Sequence, residues 1–136
     1  MEIIKEIKAE DTWELRHKVM WPNKSIDFVK ILTDDKGTHF GLFLNKELVT
    51  IVSLFIDGKK AQFRKLATLP SEQGKGYASL ILRHIFEQAK SKGVHKIWCN
   101  ARKDKLEFYL KKGFTKTSES FEKSGIAYNI IEKALN

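Results

Sequence analysis

Seventeen residues, Leu66 to Leu82 (LATLPSEQGKGYASLIL), constrain this chain more than any other stretch. They read as the end of an apolar strand, a turn, a glycine loop and the opening of a helix. Pro70 has no N–H to give a strand ladder, so the strand ends before it. Gly74 and Gly76 let the backbone take positive φ and come close to a ligand. Tyr77, Leu80, Ile81 and Ile85 then repeat at helical spacing. The open N–H groups and the dipole at such a helix start make a seat for phosphate. Spacing excludes two familiar phosphate loops. The P-loop needs G-x-x-x-x-G-K-[ST], which neither glycine satisfies, and the dinucleotide fingerprint needs a third glycine where Ser79 stands.

The rest of the chain frames this stretch as α/β with a mixed sheet. Met1 to Ile7 is apolar enough for a first strand. Asp11 with Glu14 resembles a capping box; Leu15 and Val19 then share one side of a helix, with Arg16, His17 and Lys18 on the more polar side, until Pro22 stops it. Trp21 to Lys36 has no period and is read either as a wall of the substrate site or as plain packing. Thr38 to Leu44, Glu47 to Ile56 and Lys60 to Leu69 form a meander turning at Asn45-Lys46 and Asp57-Gly58. A helix from about Lys75 stops near Gly93. His95 to Asn100 follows as a strand, and the crossover implies a parallel pair. Asp104 to Lys112 is a helix ended by Gly113. Phe114 to Phe121 and Ile126 to Lys133 close the chain as a hairpin around Ser124-Gly125. No repeat, linker or low-complexity tract divides residues 1–136, so one domain is expected.

Composition narrows the functional classes. A hydrophobic share of 42% argues against disorder. There is no leader pattern and no apolar run of spanning length, so a cytoplasmic protein with no membrane partner is expected. The net charge of +8 suits a polyanionic ligand. Nucleic acid would also suit it, but the lysines are spread along the chain, with the densest set (Lys103, Lys105, Lys111, Lys112, Lys116) reading as a solvated helix face, and no nucleic-acid motif is present. Four scattered histidines and one cysteine show no metal-ligand spacing. Cys99 has no partner for a disulfide and sits in a short apolar strand, where a thiol is inert.

Two motifs carry a resemblance. Gln73, Gly76 and Ala78 form Q-x-x-G-x-A, similar to the Q/R-x-x-G-x-G/A loop that holds the acyl-CoA pyrophosphate in the GNAT superfamily of N-acyltransferases. Asn100 to Phe114, NARKDKLEFYLKKGF, resembles that family's segment after the fifth strand, with Ala101, Arg102, Phe108, Tyr109, Gly113 and Phe114 in place and Lys105 where a small alanine is usual. The order of elements also matches along essentially the whole chain. The resemblance implies a central mixed, mostly antiparallel sheet of six to seven strands with helices on both faces. It implies transfer of an acetyl group from acetyl-CoA to an amine, with Tyr109 as the acid that protonates the leaving thiolate. It assigns CoA to Leu66, Ala67 and Thr68, whose backbone would pair with the pantetheine arm, and to the loop Gln73, Gly74, Lys75, Gly76, Tyr77, Ala78 and Ser79, with Asn100 and Arg102 as further contacts.

The base is not carried over. Ile97 stands where some relatives have a glutamate; Arg102 stands where many have an asparagine that contacts CoA, a contact for which Asn100 is the substitute. That leaves His39 or a water relay. The acceptor is open among polyamine, amino acid, antibiotic, peptide N-terminus and lysine, as is assembly into a homodimer. A non-catalytic CoA-binding or sensory domain of the same fold, and less so a basic nucleic-acid-binding domain, are the rival readings.

Overall fold

The computed structural model describes residues 1–135. Seven strands form one sheet in the order β1-β2-β3-β4-β5-β7-β6: β1 Glu2–Ile7, β2 Thr38–Leu44, β3 Glu47–Asp57, β4 Lys60–Thr68, β5 Lys96–Arg102, β6 Thr115–Lys123 and β7 Ile126–Ala134. The helices are α1 Glu10–Leu15, continued by a wider π-helical turn over Arg16–Met20, α2 Tyr77–Ser91 and α3 Leu106–Leu110. The pairings β1–β2, β2–β3, β5–β7 and β6–β7 are antiparallel, and β4–β5 is parallel over Lys60–Gln62, as the crossover requires. The expected mixed, mostly antiparallel sheet is therefore present. The backbone clusters into two compact units, Met1–Phe55 with Phe63–Gln88, and Ile56–Gln62 with the described residues from Ala89 on.

In the first unit both faces of the sheet are covered. Phe40 packs edge-on against His84 of α2 at 5.1 Å between centroids, while its neighbour His39 bonds to the Asp34 carbonyl in the segment that follows α1. Adjacent strand residues point to opposite faces, so α1 and α2 cover opposite sides of this part of the sheet. On the α1 side Leu15, Ile51 and Ala67 form a buried cluster with Ile7, Val19, Met20, Leu48 and Leu69 packed on it. On α2, Ile81 and Ile85 of the helically spaced set are buried, joined by Leu82, while Tyr77 and Leu80 are only partly buried.

Two expectations about α1 need correction. Asp11 is no N-cap: Ala9 holds that place without a side-chain cap, and Asp11 instead accepts from the Lys8 N–H at 3.0 Å. Arg16, read as part of the polar side, is fully buried. Trp21 to Lys36 contains two short 3-10 turns, Ile26–Val29 and Asp34–Lys36, with Trp21 edge-on to Phe28.

In the second unit β7 lies between β5 and β6. Ile97, Cys99 and Ala101 alternate inward along β5 with Lys96, Trp98 and Asn100 less buried, and Ile131 of β7 is fully buried opposite Cys99. Strand β6 is exposed almost throughout, as befits a sheet edge. β5 runs on to Arg102, two residues past the expected end, because its pairing with β7 continues to Arg102 opposite Tyr128.

Candidate active site

Strand β4 stops at Thr68, and Pro70 opens a single 3-10 turn, Pro70–Glu72. The Gln73 side chain donates to the Thr68 carbonyl at 3.0 Å, tying the loop back to the strand end. Gly74 and Gly76 take φ of 80° and 88°, the left-handed region where a side chain is strained, and no atom lies within 4 Å of where a Cβ would sit. The first helical bond of α2 runs from the Leu80 N–H to the Gly76 carbonyl at 3.1 Å. Among the described residues the N–H groups of Gly74, Lys75, Gly76, Tyr77, Ala78 and Ser79 meet no acceptor. A run of open donors at the positive end of a fifteen-residue helix fits an anionic group such as a pyrophosphate.

Upstream, Lys65 adopts φ 60° inside β4, costly for a non-glycine residue and the mark of a bulge. Its effect on register is visible. The two-residue turn Gly58–Lys59 between β3 and β4 sets Ser53 opposite Arg64 by count. Past Lys65 the pairing has slipped by one residue: Leu69 N–H donates to the Val49 carbonyl at 2.9 Å, and Thr50 bonds Thr68 through their hydroxyls at 3.1 Å. Leu66, Ala67 and Thr68 thus lie between the bulge and the glycine loop.

In the second unit α3 presents Tyr109, 9% exposed, edge-on to Phe108 and Phe114 at 5.2 and 5.8 Å. Burial above all, then the neighbouring Cys99, pushes the phenol well above its ordinary range, with Arg102 pulling the other way. Tyr109 therefore keeps its proton through neutral pH. Arg102 stands half-buried at the end of β5, and Asn100 is exposed on the strand face opposite Cys99. Burial alone raises the Cys99 thiol far above neutrality, so it holds no nucleophilic thiolate there. Among the described residues no group of acidic, histidine and cysteine side chains could hold a metal, and no helix is long and apolar enough to cross a membrane.

His39 is not placed to take a substrate proton. It is 4% exposed, with Nε2 at 2.8 Å from the Asp34 carbonyl and Nδ1 at 2.7 Å from Ser53 Oγ. A carbonyl only accepts, so Nε2 donates to it, and Nδ1 is engaged by the serine hydroxyl. Ser53 in turn accepts from Arg16 Nη2 at 2.9 Å. The centre of this network is the Arg16–Asp34 pair, joined by two bonds of 2.9 Å. Arg16 Nη1 also reaches the Val29 carbonyl at 3.0 Å, and Asp34 also accepts from Trp13 Nε1 and the Ile31 N–H. Burial works to raise the Asp34 carboxyl, but the Arg16 and Ile31 hydrogen bonds, the Arg16 charge and Trp13 together hold it below the usual carboxylate range. Sequence reading missed this network. The partners that Arg16 itself bonds lie 13 to 37 residues away, and the only hint was the aperiodic stretch that supplies Asp34.

Fold and loop together describe an acyltransferase of one family, and the chain belongs to it. Residues 1–114 match the sequence model of the acetyltransferase (GNAT) family. A protein of Bacillus subtilis (strain 168) named "Uncharacterized N-acetyltransferase YitI" is 30% identical over 137 residues, spanning 94% of this chain and 92% of its own. Among solved structures, the ribosomal-protein-S18-alanine N-acetyltransferase from Escherichia coli superposes with a TM-score of 0.81 at 14% identity, over 100% of this chain and 95% of its own. A GNAT family acetyltransferase from Elizabethkingia anophelis, with acetyl-CoA bound, superposes with a TM-score of 0.78 at 18% identity, over 98% of each chain.

Proposed function

We propose that this protein transfers an acetyl group from acetyl-CoA directly to a primary amine. The observation that carries the reading is the run of open N–H donors from Gly74 to Ser79 at the start of α2, on a loop whose Gln73, Gly76 and Ala78 match the family pattern. Those donors bind the pyrophosphate of CoA, and the backbone of Leu66, Ala67 and Thr68 pairs with the pantetheine arm and polarises the thioester carbonyl. Family membership and the acetyl-CoA bound to a structural neighbour support the choice of donor. Asn100 and Arg102 are further CoA contacts.

The amine nitrogen attacks the carbonyl carbon, the carbon–sulfur bond breaks, and Tyr109 gives its proton to the departing thiolate. Its raised phenol is protonated at every physiological pH. With both ring nitrogens of His39 engaged, the proton from the amine leaves through a water relay. The reaction takes place in the cytoplasm, with acetyl-CoA and the amine as partners and neither nucleic acid nor membrane required.

The test is release of free CoA thiol from acetyl-CoA across a panel of amines, with acetyl-CoA affinity measured on wild type and on Gly76→Glu. The substitution sets a strained side chain and a negative charge where the pyrophosphate sits. Affinity is expected to fall by at least about tenfold, the equivalent of ~1.4 kcal/mol. Unchanged affinity in a folded Gly76→Glu protein would remove CoA from this loop.

A further inference from the structure

Arg64 stands in one row with Ser53 and His39: the hairpin count sets it opposite Ser53 on β3, and Ser53 pairs with His39 on β2. This row faces the α1 side of the sheet, where the Arg16 guanidinium meets Ser53 Oγ at 2.9 Å. Two guanidinium charges therefore share one carboxylate, and that carboxylate is already committed. Asp34 accepts from Arg16 on both oxygens and from Trp13 and the Ile31 N–H on Oδ2. His39 cannot balance the second charge, because an imidazole side chain supplies no negative charge. Arg64 is half-buried and makes no hydrogen bond or ion pair with any described residue. Burial and the Arg16 charge weaken its hold on its proton, with Asp34 acting in the opposite direction.

A half-buried guanidinium that meets no counter-ion among the described residues, beside a second guanidinium, favours an anion. Its place along β4 says which anion. With phosphates at Gly74 to Ser79 and pantetheine along Leu66 to Thr68, the thioester end of the donor lies toward the start of β4. Arg64 is two strand residues before Leu66, roughly 7 Å away, at that thioester end.

We propose that Arg64 anchors a carboxylate carried by the acceptor, so that the substrate is an amine that is also an acid, of the amino-acid type. The planar guanidinium fork matches a carboxylate with two parallel hydrogen bonds, which would fix the amine relative to the thioester. The identity of the occupant as acceptor rests on the acetyltransfer reading above; the anion site itself does not.

The experiment compares matched pairs, each amino acid as its free acid and as its carboxamide, by CoA release with wild type, Arg64→Gln and Arg64→Lys. Acetyl-CoA affinity of each variant is measured alongside to show that it is folded. For wild type the acid member is expected to be preferred in kcat/KM by at least about tenfold, as hydrogen bonds to a charged group allow. Arg64→Gln should abolish that preference, and Arg64→Lys should keep part of it. Equal use of acid and amide by wild type, or a preference that survives in Arg64→Gln, would overturn the proposal. The wild-type comparison decides even if Arg64→Gln does not fold. A binding arm separates the two readings: glutarate is titrated into wild type and Arg64→Gln, followed by NMR shifts of β4 amides. Glutarate binding lost in Arg64→Gln, with no amine acetylated, keeps the anion site and removes the transfer reading. No acid preference and no glutarate binding by wild type removes the anion site.

Discussion

At the scale of single residues, Tyr109 carries the sharpest expectation. The edge-on contacts with Phe108 and Phe114 explain why an aromatic ring belongs at this position, but not why it bears a hydroxyl. Tyr109→Phe keeps the ring and removes only the oxygen. If the phenol protonates the thiolate, kcat falls by about 10²–10⁴-fold while acetyl-CoA affinity and melting temperature stay near wild type. A kcat within about twofold of wild type, against that expected loss, would return Tyr109 to packing and leave the thiolate to water. The motif gave this residue a role by resemblance; its burial, which keeps the proton on the oxygen, came from the tertiary structure.

At the scale of elements, the Arg16–Asp34 pair locks α1 and the aperiodic segment onto the sheet. Removing one partner of a buried pair leaves the other charge unpaired and costs about 3–5 kcal/mol, so Asp34→Asn should lower the urea midpoint substantially at pH 7. The pH dependence follows from the direction of the shift. The Asp34 carboxyl is depressed in the folded state from an unfolded value of about 3.9. Its contribution is therefore complete above that unfolded value and is lost as pH falls through the lower, folded one. Urea midpoints of wild type should fall more steeply below about pH 4 than those of Asp34→Asn, which has no such group to protonate. Parallel acid curves would show that Asp34 is not held ionised by this network. Local pattern places Arg16 with His17 and Lys18 on the more polar side of the helix. Its burial is explained only by a carboxylate 18 residues away, which no local period announces.

For the whole molecule, direct transfer predicts its own kinetics. Cys99 is buried with its thiol raised, so no acyl-enzyme should form. Initial-rate patterns with acetyl-CoA and an accepted amine should intersect, as a ternary complex requires, rather than run parallel. Cys99→Ala should keep most of the activity. Parallel lines, or acetyl-Cys99 found by mass spectrometry during turnover, would replace direct transfer with a covalent route.

The sequence by itself determined the elements and their order. Gly58 and Ser124-Gly125 announced two hairpins and take left-handed φ in them, although the first turn falls at Gly58–Lys59 because Asp57 still belongs to β3; the α2 stripe fixed a helix, and the crossover to β5 required the parallel pair that Lys60–Gln62 makes. These are local rules, set by backbone sterics and side-chain period, and they operate within a few residues. They also brought the glycine loop to light, because a strand end, two glycines and a helix start form one continuous stretch. What only the tertiary structure decided is where long-range partners meet. Asp34 joins Arg16 and Trp13, and His39 is held between Ser53 and the Asp34 carbonyl. A residue's charge and burial depend on neighbours that the chain brings together only after it has folded, and for that reason the network around Arg16, and the uncompensated Arg64 beside it, could not be read in advance.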